Sequence, residues 1–147
     1  MDSNADFTVE VASWDRDQAA LGAIREAVFV LEQKVPVDLE WDGIDHECVH
    51  VMAYTETRKE IGTGRLLRDG HIGRLAVLRP WRHQGVGALL LLKLMSIAKA
   101  RGDSPVALNA QTHALAFYER FGFVAAGEEF DEAGIPHQTM VLKEKTG

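Results

Sequence analysis

The segment from Gly85 to Ala100 constrains the fold most. It carries Ala88-Leu89-Leu90-Leu91-Leu92 and is apolar nearly all round at helical spacing, so a helix here needs cover over most of its circumference. Arg101-Gly102-Asp103 ends it, with a basic residue in the last turn and a glycine just beyond. The surface that covers such a helix has to come from the strands around it. A chain of 147 residues supplies them within one domain, taken here as residues 1–147.

Those strands are legible by alternation. Phe7 to Ala12 alternates apolar and polar residues and predicts a first strand. Asp15 followed by Gln18 resembles a capping box, and Ala20, Leu21, Ile24, Ala27, Val28 and Leu31 follow at helical spacing until Lys34-Val35-Pro36. Leu39 to His46 reads as an acidic loop. Val49 to Tyr54 and Ile61 to Leu67 predict a hairpin around the charged turn Glu56 to Glu60, and Asp69-Gly70 turns the chain into a strand over His71 to Leu78. Beyond the long helix come a short buried strand, Val106 to Ala110, and a helix His113 to Arg120 capped by Thr112. Two closing strands, Phe123 to Phe130 and Gln138 to Leu142, flank a turn over Asp131 to Pro136. The order predicts a single mixed α/β domain.

Sixteen Lys plus Arg against 22 Asp plus Glu leave a net charge of −6, which argues against a general polyanion-binding surface and leaves room only for a local basic patch, so no nucleic acid partner is expected. The lone Cys48 excludes an intrachain disulfide and fits a reducing compartment. The polar start, Met1 to Asp6, lacks the apolar core of a signal peptide, and no stretch reaches the ~18 apolar residues of a spanning helix. A cytoplasmic protein without a membrane partner is the expectation.

His46-Glu47-Cys48-Val49-His50 is a literal H-E-x-x-H. On a helix that spacing puts two imidazoles on one face, within reach of one zinc ion. Here the string runs into a β-branched alternating segment, and on a strand four steps of ~3.3 Å set the two rings ~13 Å apart. Metal: none is the expectation, and a zinc hydrolase built on this string is the outlying alternative.

Arg82-His83-Gln84-Gly85-Val86-Gly87 lies between the strand ending near Leu78 and the long helix. Glycines admit a ligand close to the backbone, and a helix start offers unpaired N–H groups at its positive end. The combination suits a pyrophosphate. No Gly-Lys-Ser/Thr follows, so it is not a Walker A loop, and the third glycine of a dinucleotide fingerprint is missing.

The third signal is Ala114-Leu115-Ala116-Phe117-Tyr118-Glu119-Arg120-Phe121-Gly122-Phe123, after the strand Val106 to Ala110. Arg-x-x-Gly-x-Gly before a helix, with Ala-x-x-Phe-Tyr-Glu-x-x-Gly-Phe some thirty residues on, resembles the GNAT superfamily of acyl-CoA-dependent N-acetyltransferases. The ElaA-like branch is similar in more detail, through Val28-Phe29-Val30-x-Glu32-Gln33-x-x-Pro36, Leu108-Asn109-Ala110-Gln111 and Gly134-Ile135-Pro136-His137-x-x-Met140.

The resemblance implies an α/β fold with a mixed, mostly antiparallel sheet, splayed central strands and flanking helices. It implies acetyl-CoA as co-substrate and a small-molecule or peptide amine as acceptor, with a second copy of the chain as a further candidate partner. Backbone groups of Leu75, Ala76 and Val77 would hold the pantetheine arm. The backbone of Gln84, Gly85, Val86, Gly87 and Ala88 would take the pyrophosphate, flanked by Arg82 and His83. Asn109 and Gln111 would hold pantetheine or a water, although many relatives carry Asn at the second position. Phe117 would line the cofactor site beside Tyr118.

The implied chemistry is direct attack of a neutral amine on the thioester. Tyr118 matches the family's acid, and the Val77 N–H is the candidate oxyanion donor. Some relatives have a glutamate on the splayed strand where this chain has Arg74, which cannot act as a base. Glu32 and His137 are the remaining candidates toward the substrate. Cys48 matches no family role. A catalytically silent acyl-CoA-binding sensor is the other alternative.

Overall fold

The layering follows from β2 (Val49–Thr55), which is buried on both faces. Val51 and Ala53 pack into a core with α3 (Val86–Arg101), whereas Met52 packs into a second core with α1 (Trp14–Arg25). Alternating side chains point to opposite faces of a strand, so the sheet lies between the two helices. The structure is a computed structural model and describes residues 6–143; the remainder of the polar start, Met1 to Ala5, lies outside the described residues.

The other strands are β1 (Phe7–Ala12), β3 (Glu60–Leu66), β4 (His71–Val77), β5 (Ala107–Gln111), β6 (Phe123–Ala125), β7 (Phe130–Glu132) and β8 (Ile135–Leu142). Their order is β1-β2-β3-β4-β5-β8-β6, with β7 on β8. Every pairing is antiparallel except β4 with β5. That parallel contact joins only His71 to Ala107 and Ile72 to Leu108, so the two strands diverge beyond Ile72.

Close approach of α3 to the sheet depends on two glycines of β3. A Cβ at Gly62 would lie 3.0 Å from Leu90 Cδ1, and one at Gly64 only 2.8 Å from Leu94 Cδ1. The helix buries Val86, Leu90, Leu91, Leu94 and Ala98 but leaves Leu92 49% exposed, so its cover is one-sided where the sequence suggested nearly all round.

Local structure departs from the sequence expectations at several points. The N-cap of α1 is Ser13, not Asp15; Ser13 Oγ accepts from Arg16 N, and Ser13 N donates to Asp17 Oδ2 at 3.0 Å. The helix continues as a π-helical run, Glu26–Glu32, closed by the bond Gln33 N to Val28 O. The acidic segment is not an open loop; it holds α2 (Val37–Glu40) and a 3₁₀ turn, Asp45–Glu47. Thr112 opens a 3₁₀ turn without a side-chain cap before α4 (Leu115–Glu119). The strand expected over Phe123 to Phe130 is two short strands, and the closing hairpin turns on Ala133 and Gly134 alone, both at positive φ.

Candidate active site

The divergence of β4 from β5 opens a cavity of about 770 Å³. Its β4 wall carries a bulge: Arg74 and Leu75 together face Gly64, and Arg74 adopts a left-handed φ of 52°. Leu78 N donates to Ile61 O at 2.9 Å. Hydrogen-bonded and non-bonded pairs alternate along an antiparallel ladder, so the adjacent Val77 turns its N–H and C=O away from β3, toward the side vacated by β5. Leu75 lines the cavity; Ala76 is buried against α1.

Past β4 the chain makes a 3₁₀ turn, Arg79–Trp81, then His83 at φ 65° and Gly85 at φ 89° as the N-cap of α3. The first intrahelical bond is Leu89 N to Gly85 O at 3.1 Å, so the N–H groups of Val86, Gly87 and Ala88 have no acceptor within the helix. The Gln84 side chain folds back onto Pro80 O at 3.1 Å, and His83 is exposed. Gly87 is where the parts converge. A Cβ there would lie 3.7 Å from Phe117 Cζ and 3.9 Å from Val77 Cγ2, which brings the start of α3, the end of β4 and α4 into one contact.

Arg82 points inward rather than toward that helix start. Its Nε donates to Val77 O at 2.8 Å, and its two terminal nitrogens grip Glu32 at 2.6 and 2.7 Å. Arg79 adds a 3.3 Å contact to the same carboxylate. The hydrogen bond from Arg82 holds the Glu32 carboxyl down at about 2 against the opposing effect of burial.

Tyr118 lines the cavity on the β5 side, its ring set edge-on against Phe117 and Phe123. Burial pushes its phenol up to about 12, and its hydroxyl has no hydrogen-bond partner among the described residues. Asn109, Gln111 and His137 line the same cavity. Asn109 Oδ1 accepts from Thr139 Oγ1 at 2.9 Å, which leaves its amide donors unengaged. Gln111 donates to Gln33 Oε1 at 2.8 Å, across from the π-helical run, and accepts from His113 at 2.7 Å. His137 Nδ1 lies 2.7 Å from Ile135 O.

The floor on the β3–β4 side is an ion-pair network that sequence reasoning did not find. Arg25, stacked between Trp14 and Trp41, bonds Glu40 at 2.8 Å and Asp45 at 2.6 Å. Arg65 bonds Asp42 and Asp45. Arg74 Nε lies 3.1 Å from Glu40 Oε2, close enough for ion pairing but outside hydrogen-bonding geometry. Burial disfavours the Asp42 anion, yet the bonds and charge of Arg65 outweigh it and hold that carboxyl at about 2. No local pattern marks it in the sequence, because the acids Glu40, Asp42 and Asp45 meet arginines from α1, β3 and β4.

His46 and His50 part ways. His46 belongs to the 3₁₀ turn, not to a strand as expected, and is 66% exposed. His50 is buried, stacked on Trp14, with Nε2 2.8 Å from Asp45 O. Among the described residues, no group of three or more His, Cys, Asp or Glu is placed to hold a metal. None of their helices is long and apolar enough to cross a membrane.

A parallel strand pair that splays, with a glycine-started helix packed against the short helix that carries a cavity-lining tyrosine, defines an acyltransferase-type α/β domain. The acetyltransferase (GNAT) domain model matches residues 16–144, and the chain belongs to that family of acyl-CoA-dependent N-acetyltransferases. It is 40% identical over 122 residues to the uncharacterized N-acetyltransferase YjcF of Bacillus subtilis, covering 80% of this chain and 86% of that one. It is 33% identical to the protein ElaA of Escherichia coli, over 82% of this chain and 84% of ElaA. Its fold matches the crystal structure of an acyl-CoA N-acyltransferase from Pseudomonas aeruginosa with a TM-score of 0.77 and 34% identity, covering 94% of this chain and 99% of that chain.

Proposed function

We propose that the protein moves an acetyl group from acetyl-CoA to a primary amine by direct attack in a ternary complex. The observation that carries this reading is the contact around Gly87, which joins the free N–H groups of α3, the outward-turned Val77 and the helix bearing Tyr118. The residues fit the co-substrate. Val86, Gly87 and Ala88, with Gly85 and Gln84 ahead of them, offer backbone donors to the pyrophosphate. The unpaired edge at Leu75 offers the pantetheine arm a strand to bond, while Val77, its carbonyl held by Arg82, keeps its N–H free. Asn109 keeps amide donors free for the same arm. His83 flanks the phosphates from the exposed side.

Arg82 acts from behind the loop in this reading, fixing Val77 and the loop start through Glu32. A Glu32 carboxyl held at about 2 and bonded to two arginines is a weak base, so its role is to clamp. The Val77 N–H receives the developing oxyanion. Tyr118, protonated throughout the neutral range, donates to the departing thiolate.

The test is CoA-thiol release from acetyl-CoA over a panel of amines, polyamines, aminoglycosides and peptides, with calorimetric titration of acetyl-CoA alongside. Binding with turnover of at least one amine supports the reading. Binding without turnover makes the protein a sensor, and no binding removes the co-substrate.

A further inference from the structure

Converting an ammonium and a thioester into an amide and a thiol releases one proton that the products do not carry, and it has to leave a buried site. We infer that His137 takes this proton from the incoming ammonium and that Glu132 passes it to solvent; the inference rests on the acyl-transfer reading above. His137 stands opposite Gln111 in the β5–β8 ladder, lines the cavity and is only 7% exposed. Its Nδ1 is 2.7 Å from Ile135 O. A carbonyl only accepts, so Nδ1 carries the hydrogen and the neutral ring keeps its lone pair on Nε2. Phe130 stacks on the ring at 23°, with centroids 6.0 Å apart, and holds its plane.

Glu132 Oε2 lies 3.5 Å from that Nε2. The two are neighbours while the imidazole is neutral, and an ion pair forms once Nε2 is protonated. The Glu132 side chain is 50% exposed, so it joins a buried acceptor to bulk water. Of the other carboxylates that line the cavity, Glu40 is bound by Arg25 and Asp42 by Arg65, whereas Asp131 is exposed to solvent; Glu32, outside the lining, is bound by Arg82 and Arg79. Tyr118, His113, Asp131 and His71 also line the cavity. Tyr118 is held as the acid, His113 donates to Gln111, and His71 lies where β4 and β5 are still paired.

The protons balance. His137 Nε2 removes one from the ammonium, directly or through one water. The amine lone pair forms the C–N bond, and the carbonyl π pair moves onto oxygen beside the Val77 N–H. When the carbonyl re-forms, the C–S bond breaks and sulfur keeps the pair. The thiolate takes the Tyr118 proton, and one of the two protons on the still cationic amide nitrogen passes to the tyrosine oxygen, so the product amide keeps one N–H. The proton on His137 leaves by Glu132.

Two measurements judge this. ¹⁵N NMR of the histidine side chains in the wild-type protein at neutral pH should show His137 protonated on Nδ1 and bare on Nε2; the opposite tautomer overturns the proposal without reference to any acceptor. His137→Gln should bind acetyl-CoA as the wild type does, melt at a similar temperature, and lose ~10²–10⁴ in kcat at neutral pH. That deficit should narrow as pH rises and the amine arrives already neutral, and Glu132→Gln should show a smaller version of the same pattern. A deficit in His137→Gln that is equal at every pH, or absent, overturns the proposal. Wild-type protein that turns over no amine counts instead against acyl transfer itself, and the tautomer still judges His137.

Discussion

Arg82 and Glu32 meet in a two-point ion pair, Nη1 to Oε2 at 2.6 Å and Nη2 to Oε1 at 2.7 Å, while the remaining guanidinium donor holds Val77 O. One side chain thereby ties the π-helical run to the end of β4 and to the start of the glycine loop. Arginine suits this because its planar fork matches a carboxylate edge and keeps a third donor to spare.

Glu32→Gln therefore acts on a ligand it does not touch. The variant should weaken acetyl-CoA binding by roughly tenfold, equivalent to ~1.4 kcal/mol, as read by calorimetry. The same pair gives an acid signature. The Arg82 hydrogen bond depresses the Glu32 carboxyl to about 2, so the pair's stabilisation is present above the usual carboxylate range and is lost as pH falls toward 2. Melting curves from pH 6 to pH 3 should fall less steeply for Glu32→Gln than for the wild type; parallel slopes would remove the linkage.

Gly87→Val separates binding from folding. The nearest atoms to a Cβ there are at ordinary contact distance, 3.7 Å and beyond, so the variant should fold, while the added side chain crowds the contact among α3, β4 and α4 on which the cofactor reading rests. Affinity for acetyl-CoA should drop sharply. Gly85→Ala, by contrast, forces φ 89° on an L residue and should cost ~1–2 kcal/mol of stability. Unchanged affinity in folded Gly87→Val would move the cofactor site elsewhere.

Tyr118→Phe keeps the ring contacts to Phe117 and Phe123 and removes only an unpartnered hydroxyl. Stability and acetyl-CoA affinity should hold, and kcat should fall by ~10²–10⁴ because the proton is needed only as the thiolate leaves. Steady-state kinetics with a melting curve decide it. Wild-type turnover with chemistry rate-limiting would leave Tyr118 as packing.

Arg25→Leu tests the network beneath the cleft. Arg25 is 1% exposed and satisfies both Glu40 and Asp45, so its loss strands buried carboxylates, at ~3–5 kcal/mol. Urea unfolding should show this as a lower midpoint. A change under ~1 kcal/mol would mean that the surrounding arginines re-pair with both acids.

What the sequence made legible was the scaffold. Period-two alternation placed β1 to β4, and the leucine run with Gly85 and Gly102 bounded α3 to within a residue, because each signal is local. The misses share a cause. Ser13 outcompetes Asp15 because capping depends on where the chain leaves the extended region, which no spacing rule fixes. Ala133 takes a positive φ through the hairpin it closes, and alanine there carries no turn signal. The arginine–carboxylate network joins residues up to 34 positions apart, such as Arg74 and Glu40, so no window along the chain could contain it. Among the site residues, the motif puts Arg82 in the right loop with its side chain toward the phosphates, whereas the structure turns it onto Glu32, a contact between residues 50 positions apart.

The sheet is continuous across its middle by two rungs, His71 with Ala107 and Ile72 with Leu108. Mechanically, the chain is two leaves on a short hinge, β1 to β4 on one side and β5 to β8 on the other, with α3 bridging behind them. A ligand that bonds the bare edge of β4 and packs against β5 supplies the missing rungs, so occupancy should stiffen the whole sheet as well as fill the cleft. Amide exchange in β8, far from any phosphate, is where that coupling would surface.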